Sequence, residues 1–94
     1  MLSDAELSEA LAGLSGWARE GDVIAKTYEL PTFPGAIAFV GQIADRAEAA
    51  NHHPDLDIRY RKVRVALSTH DEGGITEKDV ALATEIEGLA EAAT

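Results

Sequence analysis

Three histidines carry the chemistry open to this chain. His52 and His53 are adjacent and directly precede Pro54, and His70 stands beside Asp71 further along. Carboxylates accompany them at Glu48, Asp55 and Asp79. Imidazole has an ordinary pKa of ~6.5, so both of its protonation states exist near neutrality. Such a group can protonate a departing oxygen or take up a released proton. Glu48 lies four residues before His52. On a helix reaching that far the two share a face, and the carboxylate would fix the imidazole tautomer and raise its basicity. Pro54 disfavours helical geometry at His53, so the two rings point in different directions. Two directions suit two roles around one substrate.

Each residue also has a plain structural reading. A histidine at a helix C-terminus complements the helix dipole. Asp79 is explained as the third helical residue of a capping box opened by Thr76. Glu48 on a helix surface is ordinarily solvated, and Asp71-Glu72 is common loop chemistry. Three histidines and a carboxylate would suit zinc, but adjacent histidines do not give the i, i+4 spacing of the helical zinc motif. No metal or cofactor is expected. The segment Glu72-Gly-Gly-Ile-Thr-Glu-Lys-Asp79 offers a helix N-terminus for an anion. It lacks the phosphate-loop pattern, and Asp71 and Glu72 would repel phosphate.

The elements that must position these groups follow from spacing. Ser3 and Glu6 predict a capping box, followed by Leu7, Ala10, Leu11 and Leu14 at helical intervals. Gly13 and Gly16 close that helix. Trp17 starts a short strand, Gly21-Asp22 turns the chain, and residues 23–30 form a second strand. Thr32 caps a helix that tolerates Pro34 in its first turn and runs to about Asn51. Its predicted buried face is Ile37, Val40, Ile43, Ala44 and Ala47, widened by Phe39. Residues 56–60 and 62–69 form two more strands, the latter with Val63, Val65 and Leu67 on one face and Lys62, Arg64, Ala66 and Ser68 on the other. Strand parity places His70 with the second set. A last helix carries Val80, Ala83, Ile86, Leu89 and Ala90. The expectation is one α+β domain over residues 1–94, a four-stranded antiparallel sheet with helices packed on one face. A split βαβ arrangement competes for the strand order.

Composition narrows the function. The 94 residues carry 17 acidic and 8 basic side chains, a formal charge of −9, which disfavours nucleic acid and anionic membrane as partners. With 46% apolar residues the chain should fold, and its small size favours self-association. Cysteine is absent, so disulfides and thiolate chemistry are excluded. The N-terminal residues lack the pattern of a secretion signal and no apolar run is long enough to span a membrane, so a cytoplasmic setting is expected.

Together the motifs are more specific than their parts. Asn51-His-His-Pro-Asp55, Tyr60-Arg-Lys-Val63 and Leu67-Ser-Thr-His-Asp-Glu-Gly-Gly-Ile-Thr-Glu-Lys-Asp79 resemble the pterin-4a-carbinolamine dehydratase family. Trp17, Phe39 and the approach Ala47-Glu-Ala-Ala-Asn51 extend the resemblance over nearly the whole chain. The resemblance implies a hydro-lyase that converts a 4a-hydroxytetrahydropterin, such as the tetrahydrobiopterin derivative, to a quinonoid dihydropterin in tetrahydropterin recycling. His52, His53 and His70 would be its catalytic residues, with His53 and His70 as the main proton-transfer groups. Glu48, Asn51, Pro54 and Asp79 would bind substrate, Glu48 orienting His52. Asp79 would either touch the site or only cap its helix. The family works without metal or cofactor, as homodimers or homotetramers. Its members also serve as dimerisation or assembly partners of other proteins, which is the alternative function. Two positions depart from the family pattern. Leu56 replaces a usual tryptophan, and Arg61 stands where asparagine is common.

Overall fold

A computed structural model describes residues 1–93. Helix α1 (Asp4–Ala12) opens with the expected capping box: Ser3 Oγ accepts from Glu6 N–H at 3.1 Å, and Glu6 Oε1 accepts from Ser3 N–H at 2.9 Å. Strands β1 (Ala18–Glu20) and β2 (Val23–Glu29) form the first hairpin. Helix α2 (Phe33–Ala50) starts under Thr32, whose side chain accepts from Gly35 N–H, with Pro34 in the first turn. Strands β3 (Asp55–Arg59) and β4 (Lys62–Leu67) form the second hairpin. A single 3₁₀ turn (His70–Glu72) then leads to helix α3 (Glu77–Ala93).

The sheet order is β1-β2-β4-β3, antiparallel throughout. The hairpins join through β2 and β4, with Tyr28 opposite Val63 and Ile24 opposite Leu67. Period-two alternation sends Ile24, Tyr28, Val63, Val65 and Leu67 to one side. There they meet Leu7 of α1, Ala36, Phe39 and Ile43 of α2, and Leu82, Ala83 and Ile86 of α3 in one core. Each large aliphatic side chain so buried stabilises by about 1.5–3 kcal/mol. Charged Arg59, Lys62 and Arg64 lie on the open side with Thr27 and Asp57.

Two expectations need correction. The buried stripe of α2 is Ala36, Phe39, Ile43 and Ala47, whereas Ile37 is 44% exposed and Ala44 is also exposed. Ile37 and Ala44 satisfy helical spacing equally well, and spacing alone does not say which of two apolar stripes meets the sheet. Trp17 precedes β1 and is a core residue there. Its indole Nε1–H faces Tyr28 Oη and Glu87 Oε1, each at 3.1 Å.

That indole belongs to a network that clamps α3 onto β2. Glu87 Oε1 accepts from Tyr28 Oη at 2.5 Å and from Lys26 Nζ at 2.6 Å. Burial would raise the Glu87 pKa, but hydrogen bonds from Lys26, Tyr28 and Trp17 and the Lys26 charge outweigh it and hold the carboxyl below its usual range. Burial, then the hydrogen bond to Glu87 and its charge, push the Tyr28 hydroxyl well above its ordinary value. A carboxyl with a lowered pKa contributes stability that is present above its unfolded pKa and lost as pH falls through the folded value. A phenol with a raised pKa contributes stability that is present below about 10 and lost as pH rises beyond it. Melting temperature should therefore fall on both flanks, below about pH 4.5 and above about pH 10. In Tyr28→Phe the alkaline fall should shrink; an unchanged alkaline slope would remove Tyr28 as its source.

Candidate active site

The end of α2 fixes the histidine pair. Asn51 adopts the left-handed conformation, with φ 50° and ψ 44°. Its N–H bonds to Glu48 O at 3.1 Å, and His52 N–H bonds to Ala47 O at 3.0 Å. These are the two hydrogen bonds of a Schellman motif, which ends a helix and turns the chain away from its axis. Asparagine is among the few side chains that accept that conformation. Asn51→Val should therefore lose about 1–2 kcal/mol, the cost of a left-handed β-branched residue, while Asn51→Gly should stay close to the parent. Denaturant titration of both variants measures the difference.

The turn redirects both rings. Glu48 and His52 do not pair, because the helix ends before His52 can complete the i, i+4 register. Instead His53 Nε2 lies 2.6 Å from Glu48 Oε1. His52 Nε2 lies 2.5 Å from Asp79 Oδ1, across from the first turn of α3. The two pairs differ in setting. The His53 and Glu48 side chains are 59% and 78% exposed, whereas those of His52 and Asp79 are 11% and 0% exposed.

His70 arrives on the loop that follows β4. A two-way bridge pins the loop that carries it: Thr69 N–H donates to Gly74 O at 2.9 Å, and Gly74 N–H donates to Thr69 O at 3.4 Å. Between them Gly73, at φ 74°, reverses the chain in a conformation that favours glycine. His70 is exposed at the start of the turn, and Thr69 beside it is buried.

The three histidines converge on one depression of about 280 Å³, lined by Asn51, His52, His53, Ser68, Thr69, His70, Asp71 and Lys78. Asn51 therefore has access to a ligand. Glu48 pairs with His53 but is not part of the lining, and Pro54 is half-buried and not part of it either. Asp79 is fully buried and meets the depression through His52 and Thr69, which line it. Asp79 combines the capping contact with a contact to His52. Its Oδ2 accepts from Thr76 N–H and its Oδ1 meets the imidazole. Lys78, Ser68 and Thr69 were not expected from the sequence. Lys78 is the helical neighbour of Asp79, and Ser68 and Thr69 precede His70. All three lie within the Leu67–Asp79 motif, and that membership was the only signal they gave. Among the described residues no three His, Cys, Asp or Glu side chains cluster to hold a metal ion, and no helix is long and apolar enough to cross a membrane.

Chemically, the depression offers three imidazoles, two of them braced by carboxylates, on a surface open to solvent. It is equipped for proton transfer to and from a small polar substrate. Comparison with known proteins adds an independent line. The family described as pterin 4 alpha carbinolamine dehydratase matches residues 1–89. A protein of Roseiflexus sp. (strain RS-1), provisionally named a pterin-4-alpha-carbinolamine dehydratase, is 60% identical over 88 residues, covering 94% of this chain and 95% of the relative. A Herpetosiphon aurantiacus protein with the same provisional name is 58% identical over 93 residues, covering 99% of this chain and 97% of the relative. The crystal structure of a transcriptional coactivator/pterin dehydratase from Brucella melitensis superposes with a TM-score of 0.92 at 35% identity, over 95% of this chain and 97% of that one. A pterin dehydratase-like protein identified as a RuBisCO assembly factor shares the fold, with a TM-score of 0.69 at 22% identity over 80% of this chain and 89% of that one.

Proposed function

The chain belongs to the pterin-4a-carbinolamine dehydratase family, and from that membership we propose that it removes water from a 4a-hydroxytetrahydropterin to give a quinonoid dihydropterin. The reaction breaks the C4a–O bond. The departing hydroxyl leaves as water once protonated, and the proton on N5 is lost as the new double bond forms. One acid and one base suffice. The convergence of His52, His53 and His70 on one depression carries this reading. His53 and His70, both exposed there, are the proton-transfer pair. His52, nearly buried and tied to Asp79, positions the substrate. Glu48 at 2.6 Å orients the His53 ring. This replaces the expected pairing of Glu48 with His52.

The proposal requires no metal. Purified protein should accelerate dehydration of a synthetic 4a-hydroxytetrahydropterin equally with and without a chelator. Absence of acceleration on every such pterin tried would refute it, and loss of activity with the chelator would refute the metal-free mechanism.

We also propose that the chain works as a homodimer or homotetramer. Edge strand β3 is exposed along its whole length, yet Leu56 and Ile58 sit opposite Val65 and Val63 on the core-facing side. The second apolar stripe of α2 leaves Ile37 and Phe33 exposed. Uncovered apolar side chains on an unpaired edge favour association with another chain. Sedimentation as a single 10.0 kDa species would exclude it. The same surfaces would serve the alternative, a non-catalytic assembly module. A stable protein partner recovered with a protein devoid of turnover would favour that reading.

A further inference from the structure

Three buried polar side chains meet behind His52. Thr69 follows β4, Thr76 caps α3, and Asp79 lies in its first turn; none is more than 5% exposed. Thr69 Oγ1 donates to Asp79 Oδ2 at 2.9 Å, and Thr76 N–H donates to the same oxygen at 2.9 Å. The two threonine hydroxyl oxygens are 2.8 Å apart. Helix capping accounts for the Thr76 N–H bond. It does not account for the Thr69 hydroxyl, which comes from outside the helix.

Counting protons fixes the direction of every bond. A threonine hydroxyl has one hydrogen. That of Thr69 is given to Asp79, so the Thr69 oxygen accepts from Thr76. The Thr76 oxygen then accepts from Lys78 N–H at 3.2 Å. One proton is left between Asp79 Oδ1 and His52 Nε2. Two donors already converge on Oδ2, which therefore serves as an acceptor and carries no hydrogen of its own. Imidazole is ordinarily the more basic partner, so the shared proton stays on the ring. In the neutral ring Nδ1 then has no hydrogen, and no described residue bonds to it.

We propose that the Thr69–Thr76 hydroxyl chain is a positioning device: it holds the Asp79 carboxylate as a pure acceptor, so that neutral His52 stays in the Nε2–H tautomer and presents a bare Nδ1 to an N–H donor of the substrate. The role of that nitrogen rests on the dehydratase reading; the tautomer does not. Thr69 borders the depression, but its one hydroxyl hydrogen is given to Asp79, so its hydroxyl acts through Asp79 and His52. Its position beside His70 also couples the loop of one histidine to the orientation of another.

Nitrogen-15 NMR of histidine-labelled protein tests this in mildly alkaline solution without substrate. The expected wild-type spectrum shows a protonated Nε2 and an unprotonated Nδ1 at His52. In Thr69→Val the two tautomers should mix, and kcat should fall about tenfold or more with a smaller change in KM. Thr69→Ser, which keeps the hydroxyl, should restore both. The opposite tautomer in the wild type overturns the proposal, and that spectrum decides alone if Thr69→Val does not fold. An unaltered tautomer in Thr69→Val, or a mixed tautomer with undiminished turnover, overturns it as well. The spectrum needs no turnover, so a failed dehydration assay remains a separate result.

Discussion

Replacing His53 with alanine should lower the dehydration rate by about 10²-fold or more while leaving the melting temperature nearly unchanged. The rate loss follows from its proposed role, since a positioned general acid or base contributes ~10²–10⁴-fold. The stability follows from its setting. His53 is more than half exposed, and its partner Glu48 is more exposed still. Such a solvated pair is worth about 0–1 kcal/mol. His52→Ala should behave differently. It removes a nearly buried ring and leaves the Asp79 carboxylate without its 2.5 Å partner, so stability and rate should fall together. Steady-state rates and thermal melts of the two variants separate these patterns. An undiminished rate in His53→Ala would take proton transfer away from His53, and His70→Ala would then be the decisive variant. A melting temperature that falls as far in His53→Ala as in His52→Ala would contradict the contrast in burial.

The asymmetry between adjacent histidines marks how far the sequence could be read. Element order, both hairpins, the caps at Ser3, Thr32 and Thr76 and the end of α2 near Asn51 were legible, because each depends on nearby residues. The Glu48 assignment was not. It assumed that helical register extends to His52, and the left-handed Asn51 breaks the register one residue earlier. That conformation moves His52 toward α3, where its partner Asp79 lies 27 residues further along the chain. Sequence spacing does not report contacts of that range. The same limit applies to α2, where Ile37 and Ala36 have similar local claims to the core and only the position of the sheet selects Ala36. Polar residues suffered most. Thr69 and Tyr28 look like ordinary strand residues, and their roles come from Asp79 and Glu87 on a distant helix.

Asp79→Ala should cost about 3 kcal/mol of stability, because one side chain satisfies three buried or nearly buried donors. Thr69 Oγ1–H, Thr76 N–H and His52 Nε2–H all terminate on its two oxygens. Orphaning a buried donor costs about 1–3 kcal/mol. The full sum will not be realised, since His52 keeps a little solvent access and the Thr69 hydroxyl can rotate. For a domain of this size each kcal/mol shifts the midpoint by roughly 4–8 °C, so the melt should move by roughly 12–24 °C. Asp79→Asn should lose less stability. Its carbonyl can accept on one side while its amide presents a donor on the other, so one donor-to-donor contact replaces three orphans. Dehydration should nevertheless fall in both variants, by about tenfold or more, because neither retains two acceptor oxygens between the threonines and His52. Thr76→Ser keeps the hydroxyl, the backbone N–H and the helix cap, and serves as the control for a small change in volume at the same place. A melt of Asp79→Ala within about 1 kcal/mol of the parent would mean that these hydrogen bonds do not hold α3 to the site. A normal rate in Asp79→Asn would mean that His52 does not depend on the carboxylate for its part in the reaction.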